Sequence, residues 1–512
     1  VDTLVLGVAL VATMVPRLWV IGQPPAIDEG IYAYYAQLVH RGLSAGNGLP
    51  TEMPLMLYSV LGSWVFAVKA NPFILLRLMD MAVAAVMAWL FCRAMRVESD
   101  SRLASAAIAG PILWVMNQPL FIDSGFRNPI VCASVPLLLA WMSVQSPPLS
   151  RQARRWALSG ALVACAVLLR EPFAPYALLG GVAALWTRRW LNFLAFTLGG
   201  GVATALVLGI LALIRGGLAG LMKAYLDISV LYGDLGYFDW ALFWDSGLRS
   251  AKVAFPIILM GLISLAAAVP IALGPGRARA LPRLCFWLAV ALIPLLEPMV
   301  KIGWPYHFAS CLPGLGGVAA VTWRQARETG HWRKVPHPRL VVALALIAAV
   351  GWDARHPIWR STPTLEAVAS RDWPAGMVPT SNFLLMAQAI RAAAPSQGTL
   401  SVPWFLEALF PLTGLRAPTY QMANLNALVA RAHNDKDRVR AMLAACTPDL
   451  LLISSVGTIG FPQWAILAEA VHDSGLFEPV VEIPAIPENA NGNISGTLYR
   501  RISLQERTCD SL

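Results

Sequence analysis

Charge is what this chain has least of. Only 13% of its 512 residues are Asp, Glu, Lys or Arg, against ~25% in ordinary soluble domains, while 57% are hydrophobic and mean hydropathy is +0.59. A water-facing globular surface cannot be built from that composition. Apolar runs of membrane-crossing length recur through the first two-thirds and predict a polytopic α-helical membrane protein. The first run, Leu4 to Ile21, is too long for a signal h-region and lacks a small-residue cleavage site, so it reads as structure.

Other absences narrow the function. There is no GxGxxG and no P-loop, so no nucleotide is assigned. No CxxC, HExxH or His/Cys cluster occurs at metal spacing, so zinc is not indicated. No repeat and no low-complexity tract is visible. The net charge of +10 is not a nucleic-acid signature, because no basic stripe with interleaved aromatics appears. Cysteine is sparse too. Cys92, Cys132, Cys165, Cys285 and Cys311 fall in or beside apolar runs and read as packing residues. Cys446 and Cys509 stand apart, and an oxidising compartment would allow a disulfide between them.

The arginines sit in short clusters between apolar runs, as positive loops on the cytoplasmic side require. Placing Arg93/Arg96/Arg102, Arg151/Arg154/Arg155, Arg188/Arg189, Arg277/Arg279/Arg283 and Arg324/Arg327/Arg333/Lys334 inside fixes spans at roughly 3–21, 74–92, 103–122, 129–145, 156–170, 172–187, 191–214, 250–273, 284–300, 305–322 and 339–353. That is about eleven crossings, with the N-terminus inside and everything after Trp352 outside. Pro54 to Val68 must then lie on the outer surface as an amphipathic helix, with Tyr58, Trp64 and Lys69 at the interface.

The first outer loop, 22–73, is therefore long and predicts a helix with Ile31, Tyr35, Leu38, Val39 and Gly42 on its apolar face. A second outer loop, Arg215 to Ser250, carries a helical period at Leu221, Ala224, Tyr225 and Ile228, followed by aromatics. From about Asp353 polar residues return. Strands are expected at Thr399–Val402, Asp449–Ile453, Val480–Glu482 and Thr497–Arg501, with helices at Phe383–Ala393, Asp437–Ala445 and Pro462–Ser474. The domain reading is a membrane module over 1–353 and an outer α/β domain over 354–512.

Two adjacent carboxylates, Asp28 and Glu29, close the first span behind Pro24-Pro25. Acidic residues favour a helix N-terminus, so capping accounts for the pair as readily as chemistry does. The stretch Arg17-Leu-Trp-Val-Ile-Gly-Gln-Pro-Pro-Ala-Ile-Asp28-Glu29-Gly-Ile-Tyr-Ala-Tyr-Tyr-Ala resembles the opening of membrane GT-C glycosyltransferases. The nearest group is glycosyltransferase family 39 with its bacterial relatives, the protein O-mannosyltransferases and lipid A aminoarabinose transferases. Glu52-Met53-Pro54 with Arg77-Leu78, Arg170-Glu171-Pro172, and Trp304-Pro-Tyr-His307 through Pro313-Gly-Leu315 occupy later landmarks, so the likeness runs over residues 4–322. Met53 stands where the family often has Lys or His. Asp123, in Phe121-Ile-Asp123-Ser-Gly-Phe-Arg127-Asn128, comes earlier than the family's acid.

The resemblance implies a GT-C fold and inverting transfer of a sugar from a polyprenyl-phosphate donor to a glycan, lipid or protein acceptor. It points to Asp28 as the base, with Glu29 orienting the loop or acceptor or capping the helix. Cations must stabilise the departing phosphate, and a guanidinium suits because it stays charged and offers paired donors. Arg170, Arg127, Arg77, Lys301 and His307 are the candidates. Arg170 otherwise pairs with Glu171 or reaches the headgroups, Arg127 pairs with Asp123, and Arg17 pairs with Asp123 or Asp28. Tyr34, Tyr35, Glu52, Asp123 and Trp304 are candidate sugar or acceptor contacts, although aromatics at an interface also serve as belt residues. A divalent cation, Mg or Mn, held by Asp28 and Glu29 with phosphate oxygens is a further expectation. The implied location is a bacterial inner membrane with the site and C-terminal domain periplasmic. A transporter or flippase, or a non-catalytic assembly subunit, is the alternative.

Overall fold

The structure, a computed structural model, describes residues 3–22, 24–49, 56–118, 121–122, 128–145, 152–234, 240–273, 277–300, 305–329, 351–352, 382–396, 398–403, 406–419, 422–454, 463–485 and 495–502. By the density of internal contacts it divides into two compact units. The first comprises residues 1–20, 78–210 and 232–362; the second comprises 21–77, 211–231 and 363–512. This grouping sets residues 21–77 with the C-terminal segment.

The helices, in chain order, are α1 (Thr3–Val20), α2 (Ile27–Ser44), α3 (Leu57–Gly62), α4 (Pro72–Ser99), α5 (Arg102–Met116), α6 (Asn128–Val144), α7 (Gln152–Leu169), α8 (Pro175–Trp186), α9 (Trp190–Leu213), α10 (Gly217–Asp234), α11 (Trp240–Val253), α12 (Phe255–Leu273), α13 (Arg277–Leu292), α14 (Leu296–Val300), α15 (Pro305–Ala309) and α16 (Leu312–Glu328). Local chemistry explains their starts. Asn71 Oδ1 accepts from the Phe73 and Ile74 amides at 3.0 and 3.4 Å, with Pro72 opening α4. Ser101 Oγ accepts from the Ala104 amide at 3.3 Å and starts α5. Such caps satisfy donors that a helix leaves open.

By length and composition, three described helices can cross a membrane: Pro72–Ser99, Trp190–Leu213 and Ala280–Met299. A fourth arises if α11 and α12, bent by 88° between Val253 and Phe255, count as one. The expected span over 250–273 is therefore bent near Ala254. The expected span 284–300 corresponds to Ala280–Met299, in which a 3-10 turn over Ile293–Leu295 joins α13 to α14 at Pro294. The 339–353 span lies outside the described residues except for 351–352. In the first unit, α16 packs closely on α13, because Gly314 and Gly317 have no side chain to hold it off Ala291 and Trp287.

The second unit contains a four-stranded sheet, β1 (Leu400–Ser401), β2 (Leu450–Ser454), β3 (Phe477–Ile483) and β4 (Gly496–Arg501), in the order β1-β2-β4-β3. β1 runs parallel to β2, with Leu400 opposite Leu450, and β4 is antiparallel to both β2 and β3. Helices α17 (Asn382–Ala393), α18 (Leu409–Thr413), α19 (Leu425–Arg431), α20 (Lys436–Ala445) and α21 (Gln463–Ser474) surround it. Val429, Leu443, Leu451, Leu467 and Val471 form the core between the last three helices and the sheet. Cys446 is buried and disulfide-bonded; Cys509 lies outside the described residues.

Candidate active site

The acid pair opens α2. Its N-cap, Ala26, has extended backbone and no side-chain oxygen to offer, so Glu29 reaches back and accepts from the Ala26 amide at 3.2 Å. Arg77 closes on the same carboxylate with its fork. Nε donates to Glu29 Oε1 at 2.7 Å and Nη2 to Oε2 at 2.6 Å. Nη1 donates to the Ile21 carbonyl at 2.6 Å and Nη2 also to the Pro24 carbonyl at 3.3 Å. One guanidinium thus ties the end of the first apolar run, the proline turn and the start of α2 together. Glu29 and Arg77 are buried, at 2% and 0% exposure, whereas Asp28 is half-buried. Burial pushes the Glu29 carboxyl up, and the adjacent Arg77 charge opposes that shift.

Two residues expected at the site make these contacts. Arg77 was expected among the phosphate contacts, but Nε, Nη1 and Nη2 all donate to groups of this loop. Tyr34 was expected against sugar, but it is 1% exposed and stacked on Phe410, with centroids 4.3 Å apart and planes at 21°. Tyr35 is half-buried and tilted against Tyr34 at 5.8 Å. Tyr58, expected at the membrane interface, is wholly buried with its ring edge-on to Tyr32, while Trp64 is exposed.

A second cluster lies in the first unit. α7 stops at Leu169, and Arg170, extended at φ −154 and ψ 109, is the N-cap of the next turn, which Pro172 enters near its start. A 3-10 turn over Glu171–Phe173 leads into α8. Arg170 Nη2 forms an ion pair with Glu297 Oε1, in the first turn of α14. His307 Nε2, on α15, is 3.5 Å from the same oxygen, and the Tyr306 ring meets the imidazole edge-on at 4.4 Å. All three groups of this triad are buried. Glu297 was not anticipated. Its signal was a single carboxylate in an otherwise apolar run, of opposite sign to the single arginine ending another.

Arg17, expected to pair with Asp123 or Asp28, forms a buried ion pair with Asp80 and donates from Nε to Asn117 Oδ1 at 2.5 Å. An apolar cavity of about 1100 Å³, mouth included, is lined by Met87, Trp141, Phe173, Tyr176, Phe286 and Trp287, among others. Phe173 and Tyr176 bring its wall to within a few residues of Arg170 along the chain. Glu52, Asp123, Arg127, Lys301 and Trp304 lie outside the described residues.

Among the described residues no three His, Cys, Asp or Glu side chains gather as a metal set. A cation gripped by both members of the acid pair does not fit this loop, since both Glu29 oxygens already accept from Arg77. Asp28 alone of the pair would serve such an ion.

No family model matches the chain, and no curated protein does. Solved structures do. The crystal structure of the apo form of the Archaeoglobus fulgidus oligosaccharyltransferase matches over 99% of this chain and 75% of its own length, at 12% identity and a TM-score of 0.52. The complex of that enzyme with zinc and sulfate covers 98% and 74% at 12% identity, with a TM-score of 0.46. The chain therefore shares the fold of that oligosaccharyltransferase.

Proposed function

We propose that this protein is an inverting membrane glycosyltransferase that moves a sugar from a polyprenyl-phosphate donor to a glycan, lipid or protein acceptor. The carrying observation is the clamp at the start of α2, in a chain with the fold of an oligosaccharyltransferase. Arg77 neutralises Glu29 and fixes its position, and Asp28 beside it is half-buried. Asp28 takes the proton from the acceptor nucleophile as it attacks the anomeric carbon, the bond to the donor phosphate breaks, and the phosphate leaves with the bonding pair. A base so placed contributes ~10²–10⁴-fold. Glu29 and Arg77 are positioning residues, and no step is routed through a metal.

Arg170 and His307, which share Glu297 as a partner, are candidate contacts for the donor phosphate. Arg127 and Lys301 remain further candidates for the same charge. The donor's apolar tail occupies the cavity that begins at Phe173 and Tyr176. The membrane reading retains about eleven crossings in a bacterial inner membrane, with the first loop and the C-terminal α/β domain periplasmic. It is supported by the composition of the second unit, which draws together 21–77, 211–231 and 363–512, all segments that the arginine clusters put on the outer side.

The deciding experiment is turnover by purified protein with labelled polyprenyl-phosphate sugars and a membrane glycan extract. Asp28→Asn is expected to fold and bind donor yet lose turnover. Equal turnover in variant and wild type would remove Asp28 as the base.

A further inference from the structure

Glycine is a poor helix former, so its place in the first turn of α2, directly after the acid pair, asks for a cause. The cause is a close approach. A Cβ on Gly30 would lie 2.5 Å from the Ala408 Cβ, 2.8 Å from its backbone nitrogen and 2.9 Å from its Cα. One turn on, Tyr34 stacks on Phe410. Two turns further, Arg41 Nη2 donates to the Gly414 carbonyl at 3.2 Å. Residues 30, 34 and 41 fall on one stripe of α2, and their partners 408, 410 and 414 follow in the same order. Asp28 stands about 200° round the helix from Gly30, on the side away from this contact.

We propose that the segment from Ala408 to Gly414 is a seat that sets the pose of α2, which makes Gly30, Tyr34, Ala408 and Phe410 positioning residues for Asp28. The C-terminal domain thereby acts on catalysis from behind the helix, without touching substrate through these residues. The proposal rests on Asp28 being the base. Two constraints then define the helix: the Glu29–Arg77 clamp fixes its first turn, and the seat fixes its axis. A shift of about 1 Å at a reacting group costs on the order of 10²-fold in rate.

The test compares Gly30→Ala, Gly30→Ala/Ala408→Gly, Phe410→Ala and Asp28→Asn in the full chain, using turnover with the labelled donor and hydrogen exchange of the α2 amides. Gly30→Ala is expected to lower kcat by about tenfold or more with KM for both substrates little changed. Adding Ala408→Gly removes the nearest atom but not the backbone behind it, so it restores part of kcat. Phe410→Ala only removes atoms, so it decides the matter should Gly30→Ala fail to fold. It is expected to lower kcat and speed exchange along α2. Unchanged exchange in Phe410→Ala refutes the seat, and faster exchange with wild-type kcat refutes its positioning role. Wild-type kcat in Gly30→Ala while Asp28→Asn is inactive overturns the seat and leaves the base standing. An active Asp28→Asn removes the base, whereas exchange in Phe410→Ala still reports on the seat.

Discussion

Replacing Arg77 by Met should be among the most damaging single changes in the second unit, and the structure says why. The substitution keeps volume and removes charge, leaving the Glu29 carboxylate at 2% exposure without a counter-ion. Hydrogen bonds to charged groups contribute ~1.5–3 kcal/mol each, but those made by Arg77 come from one guanidinium and do not add. Removing one partner of a buried pair costs ~3–5 kcal/mol, and that range is the expectation here. Glu29→Gln/Arg77→Met should recover much of the loss, since neither side then carries a buried charge.

The penalty should also depend on pH. Burial already raises the Glu29 pKa above its ordinary value of 4.5, and Arg77 is what opposes the shift. Without Arg77 the elevation grows. An acid whose folded pKa is raised binds its proton more tightly folded than unfolded, so its stabilising contribution is whole below the unfolded pKa and is lost as pH rises through the folded one. Arg77→Met should therefore lose less at pH 5 than at pH 8. Thermal unfolding of purified protein in detergent, followed by tryptophan fluorescence at both pH values, measures this. A loss under about 1 kcal/mol, typical of a solvated pair, or the same loss at both pH values, would refute a dry clamp.

Arg170→Ala should weaken donor binding in an equilibrium assay with labelled polyprenyl-phosphate sugar; unchanged affinity would discard its phosphate role. Glu297→Gln, which releases Arg170 and His307 from a competing carboxylate, should tighten donor binding while lowering stability, and weaker binding would show that Glu297 is needed to hold the cations in place. Cys446→Ser should lower the stability of the C-terminal domain by ~2–4 kcal/mol, and reductant should abolish the difference from wild type. A reporter fused after Leu512 should be active on the outer side only; a cytoplasmic signal would overturn the topology.

Much of the secondary structure was legible because its signals are local. The strands expected at Asp449–Ile453 and Thr497–Arg501 appear at Leu450–Ser454 and Gly496–Arg501, and the helices expected after Phe383, Asp437 and Pro462 each start within a residue of that point. What escaped were pairings between distant residues. Arg17–Asp80, Arg77–Glu29 and Arg170–Glu297 join helices that sequence order does not rank as neighbours. A lone charge in an apolar run announces that it has a partner, not which one. The turn at Ala254 was missed for another reason: hydropathy averages over a window and passes through it.

The contacts that hold α2 differ greatly in when they can form. Glu29 meets Arg77 48 residues later, whereas Arg41 waits for Gly414, 373 residues downstream. At synthesis rates of ~5–20 residues per second, the helix emerges roughly 20–75 s before its far partner exists. During that interval the arginine fork and the contacts of Tyr58 and Ser59 with Tyr32 are in place, but the Tyr34 face has no Phe410 to stack on. A truncated chain that stops short of the last segment would leave that stretch bare for good, and a ribosome-stalling series should reveal its proteolysis until residue 414 has left the exit tunnel.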